Sequence, residues 1–375
     1  MKNAVVSIAV LATAIQCGLV QAAQTISIGF AGPLTGAIAE VGKDAENGAR
    51  LAVDDANAAG ITIRGQKIQF ILDAEDDQAD PRTAVTIAQK LVEDGVVGVI
   101  GHVTSGATIP ASKVYANADI PQISPSATNP EFTHQGLPTA FRVIGDDSYV
   151  GRVIGQYLIK TMKLKRIAIV DDRTAYGQGL ADVVAESVKA NGGEVIDREF
   201  VTSNTIDFHS VLTNIKSKQA DAIFYGGVDG QAGPMRKQMT SLAMKIPMVG
   251  SGLETDKFIQ LAGLNAVEGT LSAEPGEPLH SMPGGKDFEA RFKKYGSVVI
   301  FAPFSYDAVW ALINAMKLAN STKPNDYLPF LQKVDFTGVT GRIAFDSRGD
   351  LRTAPVTLYE AKSGHFVPVE TSTLK

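Results

Sequence analysis

Residues 166–201 read RIAIVDDRTAYGQGLADVVAESVKANGGEVIDREFV, and this stretch decides the fold. The apolar, β-branched run at 166–170 predicts a buried strand, and residues 194–201 predict a second strand. Residues 177–190 between them predict a helix. A strand, a helix and a strand joined by short links form a βαβ unit, which predicts that the two strands lie parallel in one sheet.

The same alternation continues in both directions along the chain. Before this unit, strands are predicted over 25–31, 67–73, 96–100 and 120–124, and helices over 42–59, 81–93, 107–117 and 149–162. After it, strands are predicted over 221–225, 246–250 and 269–273, and helices over 208–218, 231–243 and 256–262. Repeated units of this kind predict an α/β fold of two doubly wound parallel sheets, one per lobe, with helices on both faces of each sheet.

The regular alternation of predicted strands and helices ends after residue 274. Proline and glycine mark loops at 275–278 and 283–285. Helices are then predicted over 286–294, 304–318 and 325–334, and short strands over 341–345, 357–359 and 365–369. We expect this tail to pack back on the two lobes.

The N-terminal residues predict export. Lys2 precedes a largely apolar run from 4 to 20, and Val20-Gln21-Ala22 has the small residues that a signal peptidase recognises. Residues 1–23 are therefore predicted to be a signal peptide, and the protein is expected in the periplasm. The run is too short to span a bilayer comfortably, and no later run of about 18 apolar residues occurs. A membrane anchor and a lipidated Cys17 are the alternatives.

Composition excludes several functional classes. Cys17 is the only cysteine and is removed with the signal, so no disulfide or cysteine metal site is expected. The net charge is −5 and no Lys/Arg-rich patch occurs, which argues against nucleic acid. The five histidines form no i, i+4 pair, and no catalytic or phosphate-binding motif is present. We predict no metal, no cofactor and no enzymatic activity. The acidic run from Asp73 to Asp77 is interpreted as a solvated turn.

Two loops at neighbouring strand exits form the candidate site, because open α/β sheets bind ligands where strand ends face helix starts. The loop 101–106 opens a helix and offers free N–H groups and the hydroxyl of Ser105. The loop 124–129 directs Thr128 and the backbone of Ser126 to the same place. Together they form a neutral cradle for one carboxylate. The alternative is that Ser105 and Thr128 only cap helices. Tyr176 either stacks on the ligand or packs beside a turn.

Several phrases match a known family in order and spacing along nearly the whole chain. The chain resembles the periplasmic branched-chain amino-acid-binding proteins of ABC importers, the Leu/Ile/Val-binding type. The matching phrases are Gly32-Pro-Leu-Thr-Gly36, Asp80-Pro81, Gly101-His102 with Ser105, Ser124-Pro-Ser-Ala-Thr128, Tyr176-Gly-Gln-Gly-Leu180, Tyr225-Gly-Gly227, Ala262-Gly263 with Glu268-Gly269, and Phe345-Asp-Ser-Arg-Gly-Asp350.

The resemblance implies a type I periplasmic binding protein with three hinge segments, near 145–148, 273–276 and 353–356. Lobe 1 would comprise 24–146 plus 276–353, and lobe 2 would comprise 147–275 plus 354–375. It also implies the roles of individual residues. The ligand carboxylate would be held by Ser105, Thr128 and the backbone at Ser126 and Ala127. Tyr176 would face it from the opposing lobe, and Phe301 would form an apolar wall.

The partner of the ligand ammonium is left open among three acidic residues. Glu254 is the best match to the family position, and Asp229 and Asp147 are substitutes. Val41 and Val228 stand where leucine-type members have aromatic side chains. The family's disulfide positions hold Ala79 and Thr104.

The implied function is capture of an amino acid, branched-chain or otherwise aliphatic, by hinge closure. The implied partners are the membrane permease subunits of an ABC importer, and the protein is expected to be a monomer. The alternatives are a different small carboxylate or amide solute, or ligand sensing for a receptor.

Overall fold

The computed structural model describes residues 23–374, so the predicted signal peptide, apart from Ala23, lies outside the described residues. Among residues 23–374, no helix combines the length and the apolar character needed to cross a membrane.

The first lobe is built on a six-stranded sheet. Its strands are β1 (Gln24–Gly32), β2 (Thr62–Ile63), β3 (Gln66–Asp76), β4 (Val99–Gly101), β5 (Gln122–Ser124) and β6 (Ala140–Arg142), in the order β2-β3-β1-β4-β5-β6. Only the β2–β3 pair is antiparallel. The helices between these strands are α1 (Ala39–Ala58), α2 (Pro81–Glu93), α3 (Ser105–Asn117) and α4 (Glu131–His134).

The second lobe is built on a seven-stranded sheet. Its strands are β7 (Arg166–Asp171), β8 (Glu194–Phe200), β9 (Ala222–Gly226), β10 (Met248–Gly250), β11 (Leu271–Pro275), β14 (Ala354–Lys362) and β15 (His365–Leu374), in the order β15-β14-β11-β10-β9-β7-β8. Its helices are α5 (Asp147–Gln156), α6 (Ala175–Ala190), α7 (His209–Ser217), α8 (Asp229–Ser241), α9 (Asp256–Ala262) and α10 (Leu264–Val267), and a π-helical turn, Tyr157–Thr161, follows α5. The pairings among β7, β8, β9, β10 and β11 are parallel, and the β11–β14 and β14–β15 pairings at one edge are antiparallel.

The remaining elements return to the first lobe. They are α11 (Gly285–Phe292), α12 (Ala302–Ala319), α13 (Pro324–Leu331) and the hairpin of β12 (Asp335–Thr337) and β13 (Arg342–Ala344), with 3-10 turns at Leu279–Ser281 and Lys293–Tyr295. Leu312 and Met316 of α12 share a buried core with Ile28 and Phe30 of β1. The chain therefore passes between the lobes after β6, after β11 and before β14. The last two crossings are paired, since Gly276 N–H donates to the carbonyl of Pro355 at 2.7 Å.

Strand β7 shows why both faces of the sheet must be covered. Successive side chains of a strand point to opposite faces. Ile167 and Ile169 of β7 pack against α5 and α6, whereas Ala168 and Val170 pack with α7, α8 and α9 on the other face. An apolar strand with no polar face is stable only with helices on both sides. The predicted α/β fold of two doubly wound lobes is confirmed.

Five of the described helices, α3, α5, α6, α8 and α12, begin two residues earlier than the sequence predicted, and three of these starts place polar residues at the site. α3 begins at Ser105, α5 at Asp147 and α8 at Asp229. The helical spacing of apolar residues, from which the helices were predicted, is weakest in the first turn, because polar residues there satisfy the free N–H groups. These polar residues therefore belong to helix N-termini.

Candidate functional site: a cleft between the lobes

A cleft of about 680 Å³ separates the carboxyl ends of the two sheets. Ser105, Ser126 and Thr128 line it from the first lobe, and Tyr176 and Asp229 line it from the second. This is the position at which open α/β sheets bind ligands. Loops from non-adjacent parts of the chain converge there because their strands are parallel neighbours.

The polar end of the cleft is a cradle formed by Ser105, Ser126 and Thr128. Ser105 is the first residue of α3, and its hydroxyl accepts a hydrogen bond from the backbone N–H of Asn129 at 3.3 Å. The hydroxyl of Thr128 is buried, makes no hydrogen bond of normal geometry within the described residues, and has the carboxyl of Asp147 as a polar neighbour. The first N–H groups of α3, at Ser105 and Gly106, have no acceptor within the helix. Neither hydroxyl is bonded to a helix-terminal N–H, so the arrangement does not favour the capping alternative.

Side chains of the second loop tie the two cradle loops together. The Ser124 hydroxyl donates to the carbonyl of His102, and the Ser126 hydroxyl donates to the carbonyl of Val103, each at 2.8 Å. The N–H of Ala127 is directed at the Ser124 hydroxyl at 2.9 Å, so Ala127 supports the loop from within and lies outside the cleft wall. The cradle is therefore held by internal hydrogen bonds before any ligand arrives.

A buried arginine holds the second loop from behind. Arg142 is fully buried, and its guanidinium donates to the carbonyls of Ala127 at 2.8 Å and Asn129 at 3.1 Å. Its charge is balanced by Asp350, whose Oδ1 lies 2.6 Å from Nε. These bonds fix the backbone on either side of Thr128. Sequence reasoning missed Arg142, since its partner Asp350 is far away in the chain.

A buried acid and histidine anchor the first loop. Asp77 Oδ2 lies 2.7 Å from His102 Nδ1, and the hydroxyl of Tyr115 lies 3.1 Å from His102 Nε2. The neighbouring Asp76 accepts hydrogen bonds from Leu34 N–H and the Thr35 hydroxyl. The interpretation of this acidic run as a solvated turn was wrong for Asp77, which is buried, whereas Asp76 stays partly exposed at the end of a strand. Strand β3 extends through Asp76, which brings both carboxylates against neighbouring loops.

The second lobe presents an aromatic side chain and a buried acid to the cleft. The Tyr176 hydroxyl donates to the carbonyl of Ser251 at 3.1 Å, and burial, together with the nearby charge of Asp147, raises its pKa. Glu274 accepts the N–H of Gly252 at 2.9 Å and the hydroxyl of Ser272. Burial raises the pKa of Glu274 to about 7 against the effect of these donors. Sequence reasoning missed Glu274, although its place at a strand end before Pro275 was a usable signal.

The three acids predicted for the ammonium lie in different surroundings. Asp229 lines the cleft, but its Oδ1 lies 3.2 Å from Lys257 Nζ. Glu254 lies outside the cleft wall, and burial and the charge of Glu274 raise its pKa to about 8. Asp147 is fully buried behind the wall, and its Oδ2 has no hydrogen-bond partner in residues 23–374. Burial raises the pKa of Asp147 to about 7, opposed by the Thr128 hydroxyl and the more distant charge of Arg142.

An apolar wall closes the cleft beside the cradle. Phe301 and Ile300 line it together with Val41 and Val228. The loop that carries Ile300 and Phe301 is held by Asp44, whose carboxylate accepts the four N–H groups of residues 299–302 at 2.7–3.0 Å. Asp44 thus supplies, from α1, acceptors for the loop that leads into α12 and for the first N–H of that helix.

The two lobes also touch across the cleft. The side-chain amide of Asn129 donates to the carbonyl of Ala175, in the first turn of α6, at 2.6 Å. A side chain of the cradle loop is therefore bound to the opposing lobe, which indicates a closed arrangement.

Comparison with known proteins identifies the family in which this architecture occurs. Residues 25–365 match the family described as periplasmic binding protein. The chain is 35% identical over 342 residues to a Leu/Ile/Val-binding protein homolog of Brucella melitensis, covering 90% of this chain and 91% of that protein. It is 34% identical to an amino acid binding protein of Pseudomonas aeruginosa, covering 89% and 90% of the two chains.

Solved structures agree with this placement. The branched-chain amino acid transporter substrate binding protein of Streptococcus pneumoniae, solved with isoleucine, superposes with a TM-score of 0.81 at 28% identity, covering 92% of this chain and all of that one. A leucine binding protein of Thermotoga maritima superposes with a TM-score of 0.85 at 24% identity, covering 92% and 98%. The second likeness concerns the fold alone.

Proposed function

This chain belongs to the periplasmic binding protein family, and on that premise we propose that it captures an amino acid, branched-chain or otherwise aliphatic, in the cleft between its lobes. The proposal extends to delivery of the solute to the membrane permease subunits of an ABC importer. It is supported by the relatives, which include a Leu/Ile/Val-binding homolog and an isoleucine complex. The observation that carries it is the cradle itself, where the hydroxyl-bearing residues Ser105 and Thr128 line the cleft together beside the start of α3.

The physical reason is the cost of burying charge. A carboxylate shut into the closed cleft must find donors, because an unpaired charge there is strongly unfavourable. Thr128 offers a hydroxyl at the cleft wall, and the start of α3 adds the N–H groups of Ser105 and Gly106, which have no acceptor within the helix. The cradle carries no formal charge of its own, so it binds an anion through dipoles at a fixed place.

For the ligand ammonium we propose Glu274 rather than the sequence-based choice, Glu254. Glu274 lines the cleft close to Tyr176, whereas Glu254 lies outside the wall. Asp229 is already paired with Lys257. A cation beside Glu274 would offset the desolvation that raises the pKa of this carboxyl.

For the side chain of the solute we propose the wall of Val41, Val228 and Phe301. An apolar wall of this kind discriminates weakly, by about 1–3 kcal/mol per methylene. Related aliphatic amino acids should therefore compete for the cleft. Export through residues 1–23, a periplasmic location, a monomeric state and solute binding without catalysis are part of the same proposal.

A melting-temperature panel tests the proposed class of solute. The mature chain is heated with amino acids, with amides and with aromatic acids, since a ligand that binds only the folded state raises the melting temperature. Aliphatic amino acids should give the largest shifts. Shifts confined to carboxylates without an amine would reject the amino-acid assignment and favour another carboxylate.

Calorimetry on cradle variants tests the site itself. Loss of one hydrogen bond to a charged group costs about 1.5–3 kcal/mol, so Ser105→Ala and Thr128→Ala should each weaken binding by roughly 10- to 100-fold. Ser203→Ala, at the cleft rim on the second lobe, is the matched control and should bind as the wild type does. Unchanged affinity in both cradle variants would rule out the cradle.

A further inference from the structure

His134, Asp146 and Asp350 meet outside the cleft, on the hinge side of the first lobe. Each offers one ligand atom, and these three atoms lie within 4.8 Å of one another. His134 ends α4, Asp146 immediately precedes α5, and Asp350 lies in the turn after β13. Their spacing in the sequence matches no metal motif, so only the tertiary structure brings them together.

Asp350 supplies an independent indication that a cation belongs here. The residue is 8% exposed. Its Oδ1 accepts hydrogen bonds from Arg142 at 2.6 Å and from the Thr133 hydroxyl at 2.8 Å. Its Oδ2 is buried without a hydrogen-bond partner in the described part of the chain, and lies 3.5 Å from His134 Nε2. A buried carboxylate oxygen without a donor is costly, and a metal ion in this position would satisfy it.

We propose that His134, Asp146 and Asp350 bind a divalent transition-metal ion, with zinc as the best match. One imidazole and two carboxylates suit zinc, whereas calcium and magnesium prefer sites made only of oxygen. Three protein ligands leave a further position for water. Asp146 is oriented by the N–H of Tyr149, which lies 3.1 Å from its Oδ1. His134 is exposed, which gives the ion a path to the site.

Two cations lie beside Asp350: Arg142 is bound to its Oδ1, and Arg348, near its Oδ2, competes with the metal. Arg348 Nε lies 3.8 Å from Asp350 Oδ2, and Arg348 Nη2 lies 3.5 Å from Asp346 Oδ2. The Arg348 side chain is 58% exposed, so it can turn into solvent when the metal binds. Removing this side chain should strengthen metal binding, which is the opposite of what loss of a ligand would do.

The bound ion would join α4 to two crossings between the lobes. Asp146 lies in the first crossing, and Asp350 lies shortly before β14, where the third crossing enters the second lobe. Asp350 also holds Arg142 behind the cradle. The ion would therefore stiffen the hinge side of the molecule, whatever solute the cleft takes.

Zinc titration of the untagged, chelator-treated chain tests the proposal. Calorimetry should show one zinc ion per chain, and zinc should raise the melting temperature while magnesium and calcium at the same concentration do not. His134→Ala should weaken zinc binding at least tenfold and leave the metal-free melting temperature unchanged. Arg348→Ala should tighten zinc binding several-fold.

His280→Ala is the matched control, because His280 is exposed and pairs with one carboxylate, Glu289, at 3.3 Å. It should bind zinc as the wild type does. The site is refuted if the wild type binds no zinc, or if His134→Ala and His280→Ala weaken binding equally, which would indicate only surface histidine binding.

Discussion

The ammonium group of Lys257, in α9 of the second lobe, donates a hydrogen bond to the carbonyl of Ala37, in the first lobe, at 2.7 Å. The same ammonium lies 3.2 Å from Oδ1 of Asp229, which lines the cleft. One side chain thus connects the cleft wall to a contact between the lobes. Separation of the lobes would break the bond to Ala37, so Lys257 favours the closed arrangement.

We expect Lys257→Met to weaken solute binding about fivefold. The partly exposed bond to Ala37 contributes about 1 kcal/mol to closure, and an affinity that depends on closure falls by the same free energy. Calorimetry measures the affinity, and small-angle scattering should show a more open unliganded chain. Lys245→Met, at an exposed position on the same lobe, is the control. Equal affinities for the two variants would contradict a role for Lys257 in closure.

The affinity for an amino acid should rise as pH increases from 6 to 8. Burial raises the pKa of Glu274 to about 7, so the carboxyl is partly protonated at pH 6 and cannot then pair with an ammonium. Calorimetry across this range measures the dependence. Glu274→Gln should weaken binding and flatten the profile, whereas Glu254→Gln should keep the wild-type profile. The opposite pattern would return the role to Glu254.

Asp147→Asn should become more stable, relative to the wild type, as pH rises from 5 to 8. Burial raises the pKa of Asp147 to about 7, above the value for an exposed carboxyl, so the folded state holds this proton more tightly than the unfolded state does. The stabilisation is complete below about pH 4 and is lost as pH rises through 7. The amide of the variant does not titrate. Urea unfolding of both proteins at each pH measures the difference, and a constant difference would contradict the buried, proton-binding state of Asp147.

Asp44→Ala should destabilise the first lobe by about 2–4 kcal/mol, because four N–H groups at the start of α12 lose their acceptor. Asp44→Asn keeps one acceptor oxygen, so its free energy of unfolding should lie between that of Asp44→Ala and that of the wild type. Urea unfolding measures both. If Asp44→Ala unfolds as the wild type does, water replaces the carboxylate and the loop carrying Phe301 does not depend on it.

Local pattern was sufficient to predict the βα alternation and the two cradle loops. Residues 166–170 are predicted to be a buried strand because the four side chains after Arg166 are apolar on both faces, and that property belongs to the residues themselves. Ser105 and Thr128 could also be predicted from local pattern, because each lies in a loop that directly follows a predicted strand. The sequence predicts the helix starts at Asp147 and Asp229 two residues too late, because the first turn of a helix is polar and lacks the regular spacing of apolar residues.

Local residue patterns are enough to predict which segments become strands and helices, and therefore where the sheets end and a cleft can lie. Only the tertiary structure decided which side chains share that cleft. Glu254 and Glu274 are twenty residues apart in the same βα unit, yet Glu274 lines the cleft and Glu254 does not, because the pairing of β11 sets the direction of its side chains. Arg142 with Asp350, and Lys257 with Ala37, meet only after the chain has crossed between the lobes. Secondary structure follows short-range periodicity, whereas a contact between distant residues depends on strand order and on how the lobes close.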